Sequence, residues 1–222
     1  MVTKKRTSFS KHLAFPAALL ALGLALACAA VILYLHNKQA EPKPPPGALT
    51  SLSASSSVKP KAQAVATYTV PPNNPKYISI PAISTGNVRV FKLGLLRNGS
   101  IAVPSNIYDT GWYDGSVKPG QGGAMFIYGH VSSWTANGVF YNLKKLSPGD
   151  TITITRGDNT TYKYKVVSTR NYPYNNVDMN QVLAPINPNK PGLNLMTCTG
   201  KIIKGTSDFD ERLVVFTSLV TS

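Results

Sequence analysis

The chain has 222 residues, 43% of them apolar, which suits one globular domain with its own core rather than several. Its formal net charge is +14, but the basic residues are scattered and no aromatics interleave with a basic stripe. That argues against a nucleic-acid partner and is compatible either with an anionic surface, such as cell wall or lipid headgroups, or with solubility alone. Two cysteines exclude a disulfide framework.

Residues 1–12 carry Lys4, Lys5, Arg6 and Lys11, and the run from Leu13 to Leu35 is apolar throughout. At about 1.5 Å per residue that run crosses a hydrocarbon core of about 30 Å. It is longer than the apolar core of a cleavable signal, so residues 13–35 are expected to form a transmembrane anchor. The basic flank stays cytoplasmic and the bulk of the chain faces outward. Four of the 23 Lys and Arg precede the apolar run and all nine acids follow it, so the outward part carries 19 basic against nine acidic residues, or +10. Residues 36–74 are rich in Pro, Ser, Ala and Lys and read as a flexible to semi-extended stalk. Residues 75–222 are the expected globular domain.

That domain reads as all-β. Strand-like runs recur at Tyr77–Ile80, Val88–Leu93, Ile101–Val103, Ala124–Tyr128, Thr151–Thr155, Tyr162–Thr169, Leu193–Thr197 and Leu213–Leu219. Between them lie turn signals such as Arg97-Asn98-Gly99-Ser100, Pro119-Gly120, Ser147-Pro148-Gly149-Asp150 and Gly157-Asp158-Asn159. The segment from Thr151 through Gly157 to Val166 reads as one hairpin. Only Val139–Leu146 and Val177–Leu183 suit helical turns. Many short strands in one domain favour a closed barrel or a sandwich.

Cys198 ends the apolar run Leu193-Asn194-Leu195-Met196-Thr197 and is the only cysteine outside the apolar N-terminal segment, which holds Cys28. An exported thiol without a disulfide partner is either buried and inert or kept for its chemistry. A nucleophilic thiol works as thiolate and needs a neighbour that lowers its pKa or takes its proton. His130, the only histidine of the domain, follows the apolar run Ala124–Gly129, and Arg212 opens the last strand. Three such side chains at three strand ends can meet on one rim of a barrel. One Cys and one His fall short of a zinc site, and no metal or cofactor is expected. Asp208, Asp210 and Glu211 suit a calcium ion, a solvated loop or a counter-charge for Arg212. At reference pKa values a Cys–His pair at pH 7 has about 3% thiolate and about 24% imidazolium, so the neutral pair dominates, and slow turnover is expected of any catalytic site built on it.

Residues 77–220 resemble a sortase, a Gram-positive surface transpeptidase. The resemblance rests on Gly111-Trp112-Tyr113 and Pro119-Gly120 leading into Gly129-His130-Val131, on Leu195-Met196-Thr197-Cys198, and on Arg212-Leu213-Val214-Val215. The second motif fits the family's Thr-Leu-x-Thr-Cys except that Asn194 replaces the first Thr. The combination of Ile80-Pro81-Ala82, Gly94-Leu95, Val103-Pro104, Gly111-Trp112-Tyr113 and Gly129-His130 looks most like class F, with classes D and E weaker matches. The resemblance implies a closed eight-stranded β-barrel with short helical turns. It also implies cleavage of an LPxTG-like sorting signal between Thr and Gly, with transfer of the acyl group to an amine of a cell-wall precursor or a pilin lysine. Cys198 would be the acyl carrier, His130 the proton shuttle and Arg212 the oxyanion donor, while Thr197 would help position substrate. Val182, Leu183, Ala184, Pro185 and Ile186, in the connection that would join the sixth and seventh strands, would read the sorting motif. Two other readings are a non-catalytic surface or wall-binding barrel and an L,D-transpeptidase-like peptidoglycan enzyme; the latter family's Ser-x-Gly-Cys-x-Arg pattern is absent.

Overall fold

The computed structural model describes residues 55–220; the basic tail 1–12, the apolar run 13–35 and the stalk as far as residue 54 lie outside the described residues. Among the described residues no helix is long and apolar enough to cross a membrane. Eight strands form the domain: β1 (Pro75–Ile80), β2 (Thr85–Leu93), β3 (Thr110–Tyr113), β4 (Ala124–Gly129), β5 (Thr151–Arg156), β6 (Thr161–Pro173), β7 (Gly192–Ile202) and β8 (Phe209–Leu219). They close into a barrel in the order β1-β2-β3-β4-β7-β8-β6-β5. The β2–β3 and β4–β7 pairs are parallel and the others antiparallel. Closure removes sheet edges, so every strand finds a partner on both sides. The β4–β7 pairing forces a long crossover, because a parallel neighbour cannot be reached by a tight turn. That crossover contains β5, β6 and the connection from residue 174 to 191, which carries the short helix α2 (Met179–Val182).

Side-chain alternation divides the apolar residues into two layers. Met125 and Ile127 of β4, Leu193 and Leu195 of β7, and Leu213 and Val215 of β8 belong to the main core, with Ile78, Ile80, Ile152, Ile154 and Tyr164. Each fully buried aliphatic side chain there contributes about 1.5–3 kcal/mol. The intervening residues Phe126, Tyr128, Met196, Cys198, Val214 and Phe216 form a second cluster with Tyr172, Met179 and Val182. Strands β4, β7 and β8 are therefore buried on both faces through their central residues, whereas β6 alternates between buried and exposed. The β6–β7 connection covers the second face.

The expected strands recur with one correction. Ile101–Val103 is not a barrel strand: Ile101 and Leu95 make an isolated bridge around a turn in which Leu96 N–H donates to Ser100 O at 2.8 Å. Gly99 supplies the positive φ of that turn (79°), and Pro104 follows the segment. Its place is taken by β3, a four-residue strand too short to stand out by alternation. At Gly111 a Cβ would lie 1.9 Å from Leu93 Cδ1, so a larger residue there would require the Leu93 side chain of β2 to move. The expected helical turns appear as a 3₁₀ turn at Leu143–Lys145 and as α2, whose N-cap Asp178 accepts from Gln181 N–H at 3.2 Å.

The last part of the expected stalk, residues 55–74, is not extended away from the barrel. It contains the short helix α1 (Ala62–Ala66). Tyr68 Oη donates to Val90 O at 2.8 Å, and its ring packs 5.0 Å from Phe91 with the Arg89 guanidinium 5.8 Å away. Ser56 exchanges backbone hydrogen bonds with Ser105 (2.7 Å) and Ile107 (2.9 Å). One aromatic anchor and these bonds hold a segment whose composition is otherwise that of a linker.

Candidate active site

The register of three strands assembles the site. In β4–β7 Phe126 faces Asn194 and Tyr128 faces Met196; in β7–β8 Asn194 faces Phe216, Met196 faces Val214 and Cys198 faces Arg212. All these residues lie on the face turned away from the main core. One step further along the same face of β4 carries His130 towards the row of Cys198 and Arg212. The three predicted residues thus converge on one end of a three-stranded surface, and all three are buried: Cys198 is 6% exposed, His130 2% and Arg212 0%.

Cys198 borders a cleft of about 140 Å³ whose other walls include Val131, Ser132, Tyr141, Lys144, Gly200 and Phe209. Its Sγ lies 3.2 Å from Tyr128 Oη. Burial pushes the thiol up from its ordinary value, opposed by the charge of Arg212 and by the Tyr128 hydrogen bond. Burial also holds the Tyr128 phenol well above its ordinary range.

His130 Nε2 lies 2.8 Å from Pro104 O and 3.0 Å from Ser55 Oγ. A carbonyl oxygen can only accept, so Nε2 carries the proton of the neutral ring and Nδ1 is the nitrogen left for proton exchange. Ser55 Oγ donates to the same Pro104 carbonyl at 3.0 Å, so the segment before the barrel closes over the imidazole. Burial lowers the His130 pKa and the Pro104 carbonyl works against it by supporting the imidazolium. Thr197, 2% exposed, spends its hydroxyl on Gly129 O at 2.8 Å. That bond ties β7 to β4 immediately before His130, so Thr197 braces the histidine's strand end.

Arg212 Nη2 donates to both carboxylate oxygens of Asp208, at 2.9 and 2.8 Å, while Nη1 donates to the carbonyls of Phe209 (2.8 Å) and Glu211 (3.0 Å). Its Nε is buried without a partner. Asp208 is therefore the counter-charge. The other two acids of that loop are engaged elsewhere: Asp210 Oδ1 accepts from Lys201 N–H at 2.7 Å and Glu211 Oε2 from Asn171 Nδ2 at 2.8 Å. Among the described residues no group of three His, Cys, Asp or Glu is placed to hold a metal ion.

The residues expected to read substrate lie on the covering connection. Val182 is fully buried in the second cluster, Leu183 packs against it, and Ala184 and Ile186 are exposed with Pro185 between them. Asn194, the departure from the family motif, holds this connection: Nδ2 donates to Val182 O (2.7 Å) and Ala184 O (2.9 Å), leaving Oδ1 buried and unpaired. Tyr128, Ser55 and the Pro104 carbonyl are the site groups that sequence reasoning did not single out, and Asn194 was noted only as a departure from the family motif. For Tyr128 the signal was present, since it lies two residues before His130 and so shares its face.

A β-barrel that gathers a thiol, an imidazole and a guanidinium at the ends of three adjacent strands has the layout of a cysteine acyl-transfer site. The Sortase domain family model matches residues 78–220, and the chain belongs to the sortase family. Solved structures similar to it include two of Sortase A from Corynebacterium diphtheriae. The lid mutant is 28% identical with a TM-score of 0.50, covering 66% of this chain and 69% of that one; the other is 27% identical with a TM-score of 0.50, covering 67% and 61%. Sortase C from Streptococcus pneumoniae shares the fold at 21% identity and a TM-score of 0.52, covering 80% and 81%. No curated protein matches the chain.

Proposed function

We propose that this sortase is an outward-facing transpeptidase, anchored by residues 13–35, that cleaves an LPxTG-like signal between Thr and Gly and passes the acyl group to an amine. The observation that carries this reading is the shared face and row of Cys198, Arg212 and the approaching His130. Cys198 Sγ attacks the Thr carbonyl carbon as thiolate. The carbonyl π electrons move onto oxygen, and Arg212 Nε, the buried donor without a partner, is the group free to stabilise that charge. The C–N bond then breaks, its electron pair leaves with the nitrogen, and protonated His130 supplies the proton the leaving amine needs. An incoming amine attacks the thioester, gives a proton back to His130 and expels the thiolate. Val182–Ile186 would line the motif-reading groove. The acceptor would be a wall-precursor amine or a pilin lysine, and the class F assignment rests on the motifs around Ile80-Pro81-Ala82 and Val103-Pro104.

The test is incubation of the chain with LPxTG-type peptides and mass spectrometry of the protein. The expected result is a thioacyl adduct on Cys198, discharged by an added amine and absent in Cys198→Ala. Absence of any adduct or cleaved peptide across a panel varying the first and fourth motif positions would overturn the reading.

A further inference from the structure

Tyr128 lies next to the reacting sulfur and has no part in the three-residue mechanism. Its hydroxyl is 3.2 Å from Cys198 Sγ, and it has no other hydrogen-bond partner among the described residues. The residue is 2% exposed, which withdraws it from bulk water. Its ring meets the His130 ring edge-on at 5.8 Å between centroids. One rigid aromatic, fixed by two torsions, thus touches the nucleophile through its oxygen and the proton shuttle through its ring. The placement follows from register: β4 and β7 run parallel with Tyr128 opposite Met196, so a side chain leaning along its strand reaches the sulfur two residues on.

We propose that Tyr128 is a positioning residue for the nucleophile, its hydroxyl donating a hydrogen bond to Cys198 Sγ that orients the sulfur and stabilises the thiolate. In the neutral pair either atom can donate. Once the sulfur is charged it can only accept, and the phenol, kept protonated by burial, can only donate. The bond therefore strengthens in the state that attacks, and it weakens when the sulfur becomes a thioester, which is a poor acceptor. Nothing is transferred from Tyr128; its proton stays on oxygen throughout. The other ionisable groups around the sulfur are Arg212 on β8, paired with Asp208 of the preceding loop, His130 after β4, and Tyr141 and Lys144 across the cleft.

The inference rests on Cys198 being a functional thiol, and its test does not require turnover. In the full-length chain carrying Cys28→Ala, so that Cys198 is the only thiol, the rate of alkylation by iodoacetamide is measured against pH. With Tyr128→Phe the midpoint is expected to move up by about one pH unit, a roughly tenfold smaller thiolate fraction at neutral pH. If the phenylalanine variant does not fold, a ring-fluorinated tyrosine at position 128 keeps the shape and makes a stronger donor, and the midpoint is expected to move down. Coincident profiles in a folded variant overturn the proposal. Parallel incubation of the Cys28→Ala parent with LPxTG-type peptide separates the two readings. A parent that forms the thioacyl adduct while the profiles coincide keeps the transpeptidase and loses the role of Tyr128. A shifted profile in a parent that forms no adduct keeps the hydrogen bond and loses the transpeptidase.

Discussion

At the level of single residues the site holds both of its titrating partners neutral. Burial lowers His130 from its ordinary 6.5 and raises Cys198 from its ordinary 9.0, so the doubly charged pair is scarcer than the reference values alone give. The same shifts tie stability to pH. The lowered His130 contributes stability that is present above about 6.5 and lost as pH falls through its folded value. The raised Cys198 contributes stability that is present below about 9 and lost as pH rises through its folded value. Urea unfolding is expected to give a plateau between those limits, with the acid-side loss reduced in His130→Gln; an acid limb unchanged by that substitution would show that other groups set it. Cys198 and His130 were legible in the sequence because each is the only one of its type in the domain and ends an apolar run, whereas Arg212, one of five arginines there, was picked out by the resemblance of Arg212-Leu213-Val214-Val215 to the family motif. The hydrogen-bond partners of His130 were not legible. Pro104 acts through its carbonyl, which any residue has, and Ser55 lies in a stretch where serine is common.

Among the elements, β7 combines both tasks of the fold. Leu193 and Leu195 fill the main core, while Asn194 on the opposite face holds the β6–β7 connection by two carbonyls. Asn194→Leu would leave the buried Val182 carbonyl unpaired, a cost of about 1–3 kcal/mol, partly offset because the unpaired Oδ1 is removed as well. Urea unfolding is expected to register a net loss of about 1–2 kcal/mol. Peptide kinetics are expected to show a raised KM with kcat changed less, since the covering connection rather than the sulfur is displaced. Equal losses in both constants would place the effect on the chemistry instead. The elements with clear alternation, such as β5 and β6, were legible from pattern. β3 was not, because four residues with a glycine at the second position carry too little periodicity, and its strand character comes from pairing with β2 and β4. Ile101–Val103 had the pattern without the pairing, and its apolar side chains went to the second cluster.

Across the whole molecule, the chain enters the barrel by way of the site. Residues 55–58 run beside Pro104–Ile107, and Ser55 reaches His130 before the chain continues through α1 and Tyr68 to β1. Deleting residues 55–58 is expected to speed modification of His130 by diethyl pyrocarbonate, read peptide by peptide in a mass spectrometer, without lowering the melting temperature by more than a few degrees. An unchanged rate would mean that other parts of the chain limit access. The two-layer arrangement of β4, β7 and β8 has a further consequence. Because side chains alternate with period two, sliding β7 by one residue against its neighbours would turn Cys198 into the barrel and push Leu193 and Leu195 out of it. Chemistry and packing are written on alternate letters of the same strand, and a reading-frame error in one is an error in both. A misthreaded molecule would be catalytically silent, so turnover per folded molecule would serve as a count of barrels closed in the correct frame.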